Sequence, residues 1–569
     1  MAWLPGLWVL RSYHPAWLGR DIAAGLVLTA LLVPAGMGYA EASGLPAITG
    51  LYATIAPLVA YALFGPSRIM VLGPDSALAP LIAVAVVGRA AGDPARAVAL
   101  ASVLALLTGA MCVVAGLLRA GAVTDLLSRP VRVGYMNGIA LTVLVTQLPK
   151  LFGLSSSGDH LLASALGFAR DVLEGRAVLP ALAVGAASLA TILLGRRLWP
   201  KIPSVLVAVV GATAAVSLLG LEASLKVVGE VPRGVPMPSI PRISLGELGE
   251  LVGAAAGIAL VSFADTSVLS RTFAGRNRYR IDPNRELVGL GAANLAAGLF
   301  SGFPISSSSS RTPVAEAAGS RTQLTGVVGA LAIVVLLVAA PALLENLPTA
   351  ALAAVVLSAA LRIFDFASLR IFARVRRADF ALSLLTFLAV AALGVLSGIA
   401  VAVALSLLDF VRRAWHPHHA ILGRAPGVKG YHDLKRYRDA KQVPGLLLFR
   451  WDAPLFFANA DGFRERILDA VDEARAPIRW VVIAAEPITD CDTTAAEMLE
   501  ELDHELGVRG AELAFAELKD PVRDRLEGYG LSERLGREFF FPTIGVAVKA
   551  YLDRNDVVWT DWEERASEG

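Results

Sequence analysis

Apolar runs of roughly 20 residues, each enough to cross about 30 Å of hydrocarbon as a helix, begin near Ile22, Ile48, Ala97, Val133, Val178, Pro203, Leu251, Leu287, Thr325, Leu347, Phe380 and Ser397. Two further candidates are shorter and broken by glycine and proline: 71–87, opening at Gly73-Pro74, and 302–318, opening at Phe303-Pro304. With both counted, the pattern predicts fourteen spans. Near Val443 the period changes. Short strands at 445–450, 479–485 and 512–516 alternate with amphipathic helices from Asp461, after Thr493-Thr494 and from Thr543, with 454–458 a further short segment. That alternation predicts a small α/β module.

The two broken segments stand at matching places. Gly73 follows Asp21 by 52 residues, and Gly302 follows Glu250 by 52. The small-residue bend from Val33 lies 12 residues after Asp21, and Ser262-Phe263-Ala264-Asp265 lies 12 after Glu250. Paired, interrupted segments in two halves point to a transporter whose binding site lies at a repeat interface. Seven spans per half is an odd number, so the second half is inverted.

Composition adds direction. Of 569 residues 55% are hydrophobic and only 18% charged, with mean hydropathy +0.61, against about a quarter charged in soluble chains. Charge is sparse through Val401 and dense from Arg412 on, which sets the expected boundaries: a membrane domain at 1–415, a linker at 416–442, the α/β module at 443–556 and a tail at 557–569. The first apolar run lacks a small-residue cleavage site and reads as a retained span, not a signal peptide. Alternate connections carry the Lys/Arg excess of cytoplasmic loops: Arg68; Arg119, Arg129 and Arg132; Arg196 and Arg197; Arg271, Arg276, Arg278, Arg280 and Arg285; Arg321; then Arg362, Arg370, Arg374, Arg376 and Arg377. This alternation fits fourteen spans with both termini cytoplasmic in a cell membrane, and it fails if either broken segment is not counted. Cys112 and Cys491 form no metal or disulfide pattern, and His416, His418 and His419 read as an interfacial linker. Neither a metal nor nucleic acid is an expected partner, and no catalytic arrangement marks an enzyme.

Charges at bilayer depth are costly and mark candidate functional groups. Arg311 follows five consecutive serines, Ser306 to Ser310, where hydroxyls, free amides and a helix N-terminus would surround an anion; the alternative is an arginine reaching lipid headgroups. Asp75 with Ser76 could cap the broken helix. Asp265, in an otherwise apolar span, could carry a proton, or with Thr266 hold a sodium ion, or make a structural hydrogen bond.

Several motifs add a family to this reading. They are Pro46-Ala47-Ile48-Thr49-Gly50-Leu51-Tyr52-Ala53-Thr54, Phe64-Gly65-Pro66-Ser67-Arg68, Gly73-Pro74, Asp282-Pro283-Asn284-Arg285-Glu286-Leu287, Gly302-Phe303-Pro304, Ser310-Arg311-Thr312 and Thr322-Gln323-Leu324-Thr325-Gly326. The chain resembles the SulP anion permeases over nearly its whole length. The resemblance implies seven-plus-seven inverted repeats, a gate domain moving against a core domain, a homodimer, and an anion site between the third and tenth helices. It assigns Tyr39, Ala77, Leu78, Ser310 and Arg311 to substrate and Asp265 to coupling. Two departures stand out: Ala35 replaces a frequent Gln, removing a polar contact, and Thr49 replaces a common Tyr.

The C-terminal module resembles the STAS domain. Asp490-Cys491-Asp492-Thr493-Thr494 lies where that family has a phosphorylatable turn, so Thr493 is a candidate regulatory position that an N-cap explains equally well. The leading expectation is therefore a secondary transporter of a small inorganic anion, sulfate first, coupled to protons or sodium. Beside it stand a bicarbonate or dicarboxylate permease, and a membrane-tethered STAS platform that recruits a cytoplasmic protein. Retention of Ser310-Arg311 with Asp265 argues against the platform.

Overall fold

The computed structural model describes residues 5–6, 13–121, 128–155, 161–199 and 202–559; residues 560–569, most of the expected tail, lie outside the described residues. Two units emerge, Met1–Ser406 and Leu407–Gly569.

The first unit runs α1 Leu18–Ala42, α2 Thr49–Phe64, β1 Leu72–Gly73, α3 Ala79–Ala90, α4 Pro94–Leu117, α5 Arg129–Leu151, α6 Leu161–Leu173, α7 Leu179–Leu198 and α8 Ser204–Leu219. A second series follows: α9 Leu245–Arg276, α10 Pro283–Leu299, β2 Ser306–Ser307, α11 Arg311–Ala317, α12 Leu324–Ala339, α13 Thr349–Ile363, α14 Phe366–Val375, α15 Arg377–Leu393 and α16 Val395–Trp415. All fourteen apolar segments of the sequence coincide with a helix. Among the described residues, six helical stretches are long and apolar enough to cross a bilayer unaided.

The two series match element for element. Each has a two-residue strand before a short third helix, and each inserts a short amphipathic helix after its fifth helix. Those inserts, α6 and α14, escaped the sequence reading because their charges made them look like loops. Sharp caps start several helices: Asp93 accepts from Ala95 N at 2.9 Å before α4, Asp282 from Asn284 N at 2.9 Å before α10, and Ser244 with Glu247 closes a capping box on α9.

Contacts sort the helices into two groups. α1–α4 pack with α9–α12 into a core, where α10 lies along α4 and α2, and α12 along α1 and α2. A second group, the gate, assembles α5, α7, α8, α13 and α15, and α1 touches it through α13 and α8. At the α1–α13 contact, a Cβ on Gly38 would stand 3.1 Å from Val356 and 3.2 Å from the Leu352 carbonyl. Helices therefore meet there nearly backbone to backbone. Outward faces stay apolar, with Val114, Leu194, Leu331, Val335, Val338, Leu385 and Leu388 all exposed, as a lipid-facing belt requires.

The second unit holds a six-stranded sheet of order β4-β3-β5-β6-β7-β8: β3 His419–Arg424, β4 Tyr431–Asp433, β5 Leu446–Trp451, β6 Trp480–Ala484, β7 Glu512–Ala516 and β8 Phe540–Phe541. Strands β5 to β8 are parallel, and α17 Ala460–Asp472, α18 Thr493–Val508, α19 Asp520–Gly528, α20 Leu531–Leu535 and α21 Ile544–Arg554 complete it. Residues 416–442, read above as a linker, carry β3 and β4, because β3 pairs antiparallel to the buried strand β5. The segment 454–458 forms a single bridge, Leu455 to Cys491.

Candidate functional site

The two broken segments meet in the interior. Leu72 pairs with Ser307 and Gly73 with Ser306, antiparallel, so the starts of α3 and α11 face each other. Neither helix spans a bilayer: 12 residues rise about 18 Å and the 7 of α11 about 10 Å. Val71 N donates to Thr312 Oγ1 at 3.1 Å and Ser308 N to Val71 O at 3.0 Å. Gly73 sits at φ +151°, and a Cβ there would stand 3.3 Å from Arg311 Nη1; glycine leaves the guanidinium its room.

Arg311 is 2% exposed. Its Nη2 donates to the Pro74 carbonyl, while Nε and Nη1 have no partner among the described residues. A buried guanidinium with unmet donors is costly, and a headgroup-reaching arginine would not be enclosed in this way. Beside it runs a cavity of about 860 Å³ whose wall includes Tyr39, Asp75, Ser76, Ala77, Asp265, Ser307, Ser310 and Arg311.

Of the sequence-predicted residues, Tyr39, Ala77, Ser310, Arg311 and Asp265 thus share one cavity. Leu78 does not: it is fully buried in the core cluster. Thr266 is absent from the wall, and its hydroxyl is buried without a partner. Asp75 does not cap α3: it accepts from Ala77 N at 2.9 Å in the turn ahead of the helix, while Leu78 holds the N-cap position without a side-chain bond. Asp265 makes no hydrogen bond or ion pair with another described residue and faces the cavity, so the structural-bond alternative has no partner here. Ala35 lines the wall as well, adding an apolar position to it. Thr493 lies in the other unit, exposed in the first turn of α18. Its expected capping role belongs instead to Asp492, which accepts from Ala495 N at 2.9 Å and from Phe457 N at 2.9 Å.

Three features were not legible in the sequence. Arg129, Arg132, Arg196 and Arg362, read there only as topology signals, line the same cavity together with Asp365. Asn294 clamps the entry to β2, accepting from Ile305 N at 2.9 Å and donating to Ile305 O at 3.2 Å and Leu290 O at 3.0 Å. Two fully buried carboxylates tie the connecting loops of the core. Asp21 accepts from Arg321 N at 2.7 Å and Thr322 Oγ1 at 2.7 Å, and Glu286 accepts from the Tyr61 hydroxyl and from Ser67 Oγ at 2.9 Å. Only three-dimensional proximity reveals these pairs, separated by more than 200 positions.

Residues 18–386 match the sulfate permease family and residues 437–547 the STAS domain. The chain belongs to the sulfate permease family. It is 42% identical over 553 residues, 97% of this chain and 98% of the relative, to a probable sulfate transporter of Mycobacterium tuberculosis. Solute carrier family 26 member 6 of Homo sapiens is 35% identical over 81% of this chain and 64% of its own length. In fold it matches the murine solute carrier 26 family member A9 anion transporter in its inward-facing state, with TM-score 0.89 at 23% identity over 97% of this chain and 94% of that one. The transmembrane domain of the cyanobacterial bicarbonate transporter BicA matches with TM-score 0.60 at 22% identity over 69% of this chain and 98% of that one. This family member is thus a multi-pass helical membrane protein with a C-terminal STAS domain.

Proposed function

We propose that the chain is a secondary transporter of a small inorganic anion, sulfate in the first place, bound where the starts of α3 and α11 face each other. The observation that carries the reading is the buried Arg311 guanidinium with two unmet donor nitrogens beside the cavity. Its fork suits an oxyanion. α11, at two turns, adds only a weak dipole, so the full charge of Arg311 dominates the attraction. Tyr39 and Ser310 supply hydroxyls, and the relatives named as sulfate transporters support the choice of anion.

Charge balance supplies the coupling. Asp265 faces the same cavity as Arg311 and makes no ion pair with a described residue, so an incoming anion meets a local negative excess there. A proton or a sodium ion at Asp265 removes that excess, and anion and cation then bind best together. Movement of the core against the gate would carry the pair across. Arg129, Arg132, Arg196 and Arg362 would draw anions in, and they belong to the connections read as cytoplasmic, so the cavity opens inward, with both termini on the cytoplasmic side of a cell membrane. A Gly430→Cys variant tests this orientation: impermeant thiol reagent added outside intact cells should leave it unlabelled, and labelling would overturn it. Assembly is as a homodimer, and Thr493 is the regulatory position of the STAS domain, where a protein partner would dock.

Uptake of labelled sulfate, bicarbonate and succinate into proteoliposomes under imposed proton or sodium gradients tests the function. Sulfate accumulation driven by one of the gradients is expected. Accumulation of bicarbonate or succinate instead would transfer the site to the alternative anion, and none at all would sink the transport reading.

A further inference from the structure

α14 is a two-sided element with a role its sequence partner lacks. Its inner face, Ser368 and Phe372, is buried. On the opposite face Arg370 and Arg374, one turn apart, are exposed and make no hydrogen bond or ion pair with any described residue. That cationic stripe is flanked by apolar residues that are also exposed: Phe366 at 65%, Ile371 at 54% and Val375 at 80%. These join the exposed leucines of α13 and α15, Leu361, Leu384 and Leu388, so the lipid-facing belt continues onto α14. The repeat mate α6 differs in charge. There Arg170 pairs with Glu174 at 2.7 Å and Arg176 with Asp171 at 3.0 Å, which neutralises the helix.

We propose that α14 binds the phosphate headgroups of anionic phospholipids, and that a docked headgroup tunes access to the cavity. Two unpaired guanidiniums between apolar flanks match a phosphate held just above acyl chains; a free anion would use the charges but leave the flanks in water. The coupling path is short. Arg129, on the cavity wall, donates to Ser368 Oγ at 3.1 Å and lies over the Phe372 ring at 6.0 Å. Asp365, also on the wall, caps α14 through Ser368 N at 2.8 Å, and its amide donates to Asn137 of α5 at 2.9 Å. A headgroup that fixes α14 therefore fixes two charged residues of the cavity wall.

The tuning half rests on the transport reading above; the lipid site does not. Native mass spectrometry of the purified full chain in mixed phosphatidylcholine and phosphatidylglycerol should show retained phosphatidylglycerol. An Arg370→Gln/Arg374→Gln variant should lose most of it, about fivefold per charge at low salt, while Arg370→Lys/Arg374→Lys keeps it. Should the Gln variant fail to fold, a salt titration of the parent replaces it, since screening must release the lipid. Uptake in proteoliposomes should be faster with phosphatidylglycerol than in phosphatidylcholine alone for the parent, and equal in both for the Gln variant, with anion affinity in detergent unchanged. Parent-level retention by the Gln variant, or retention insensitive to salt, overturns the lipid site. Retention without a rate effect, or recovery of the rate in pure phosphatidylcholine on adding inorganic phosphate, overturns the tuning by lipid. If no anion is transported by any variant, the transport reading has failed and retention alone decides the lipid site.

Discussion

Arg311 combines two properties that normally exclude each other, full burial and unmet hydrogen-bonding capacity. An isolated charge so placed costs free energy, which a bound anion returns, since a charge pair at about 4 Å is worth roughly 4 kcal/mol at an effective dielectric near 20. Arg311→Ala should therefore weaken anion affinity by roughly 30-fold or more while leaving the melting temperature equal or higher. Lys at this position should keep part of the affinity, because it retains the charge without the fork. Calorimetry on folded protein decides this: an affinity within about twofold of the parent means the anion lies elsewhere. Asp265 has no partner among the described residues that would make it structural, so Asp265→Asn should abolish gradient-driven accumulation yet leave anion binding and exchange. An amide neither exchanges a proton nor holds sodium as a carboxylate does. Continued accumulation by Asp265→Asn under either gradient would remove the coupling assignment.

The broken helices owe their geometry to a short piece of sheet held from outside. β1 and β2 share only two residue pairs, too few to be stable alone, and the Asn294 side chain adds a constraint beside Ser262, whose hydroxyl donates to Ile305 O at 2.9 Å. Asn294→Leu leaves the buried Ile305 amide without an acceptor, a cost of about 1–3 kcal/mol, and frees the strand that positions Arg311. Melting temperature and anion affinity should fall together, the former by roughly 2–10 °C. That joint loss separates a positioning role from the Arg311 substitution, where affinity alone falls; an unchanged melting temperature would show that the clamp is dispensable. The glycine and proline interruptions announced the two segments and their matched spacing in advance. Asn294 gave no such notice, because a single asparagine in an apolar helix looks like any other polar interruption until Ile305 is brought beside it.

The whole chain divides where charge density changes, between Val401 and Arg412, but the sheet of the second unit begins before the expected module start at Val443. β3 and β4 belong to the sheet of the second unit, so removing residues from Val443 on would leave β3 stripped of its partner β5 and exposing pairing edges. Removal from 417 on takes the sheet away whole. That truncation should lower surface expression or rate while the order of preference among sulfate, bicarbonate and succinate stays the same, because the cavity is walled wholly by the first unit. A changed preference in competition assays would bring the STAS domain into the selectivity site. Long apolar runs, broken segments at equal offsets and arginines in alternate connections determined the fourteen apolar segments, the inverted repeat and the two broken segments that meet in the interior. They could do so because crossing a bilayer restricts local sequence strongly. Which charges share a cavity was a matter for the tertiary structure alone. Arg129, Arg132, Arg196 and Arg362 come from three separate connections, and Leu78 turns into the core while Ala77 faces the cavity. Side-chain direction and proximity across hundreds of residues follow from packing, which no local pattern encodes.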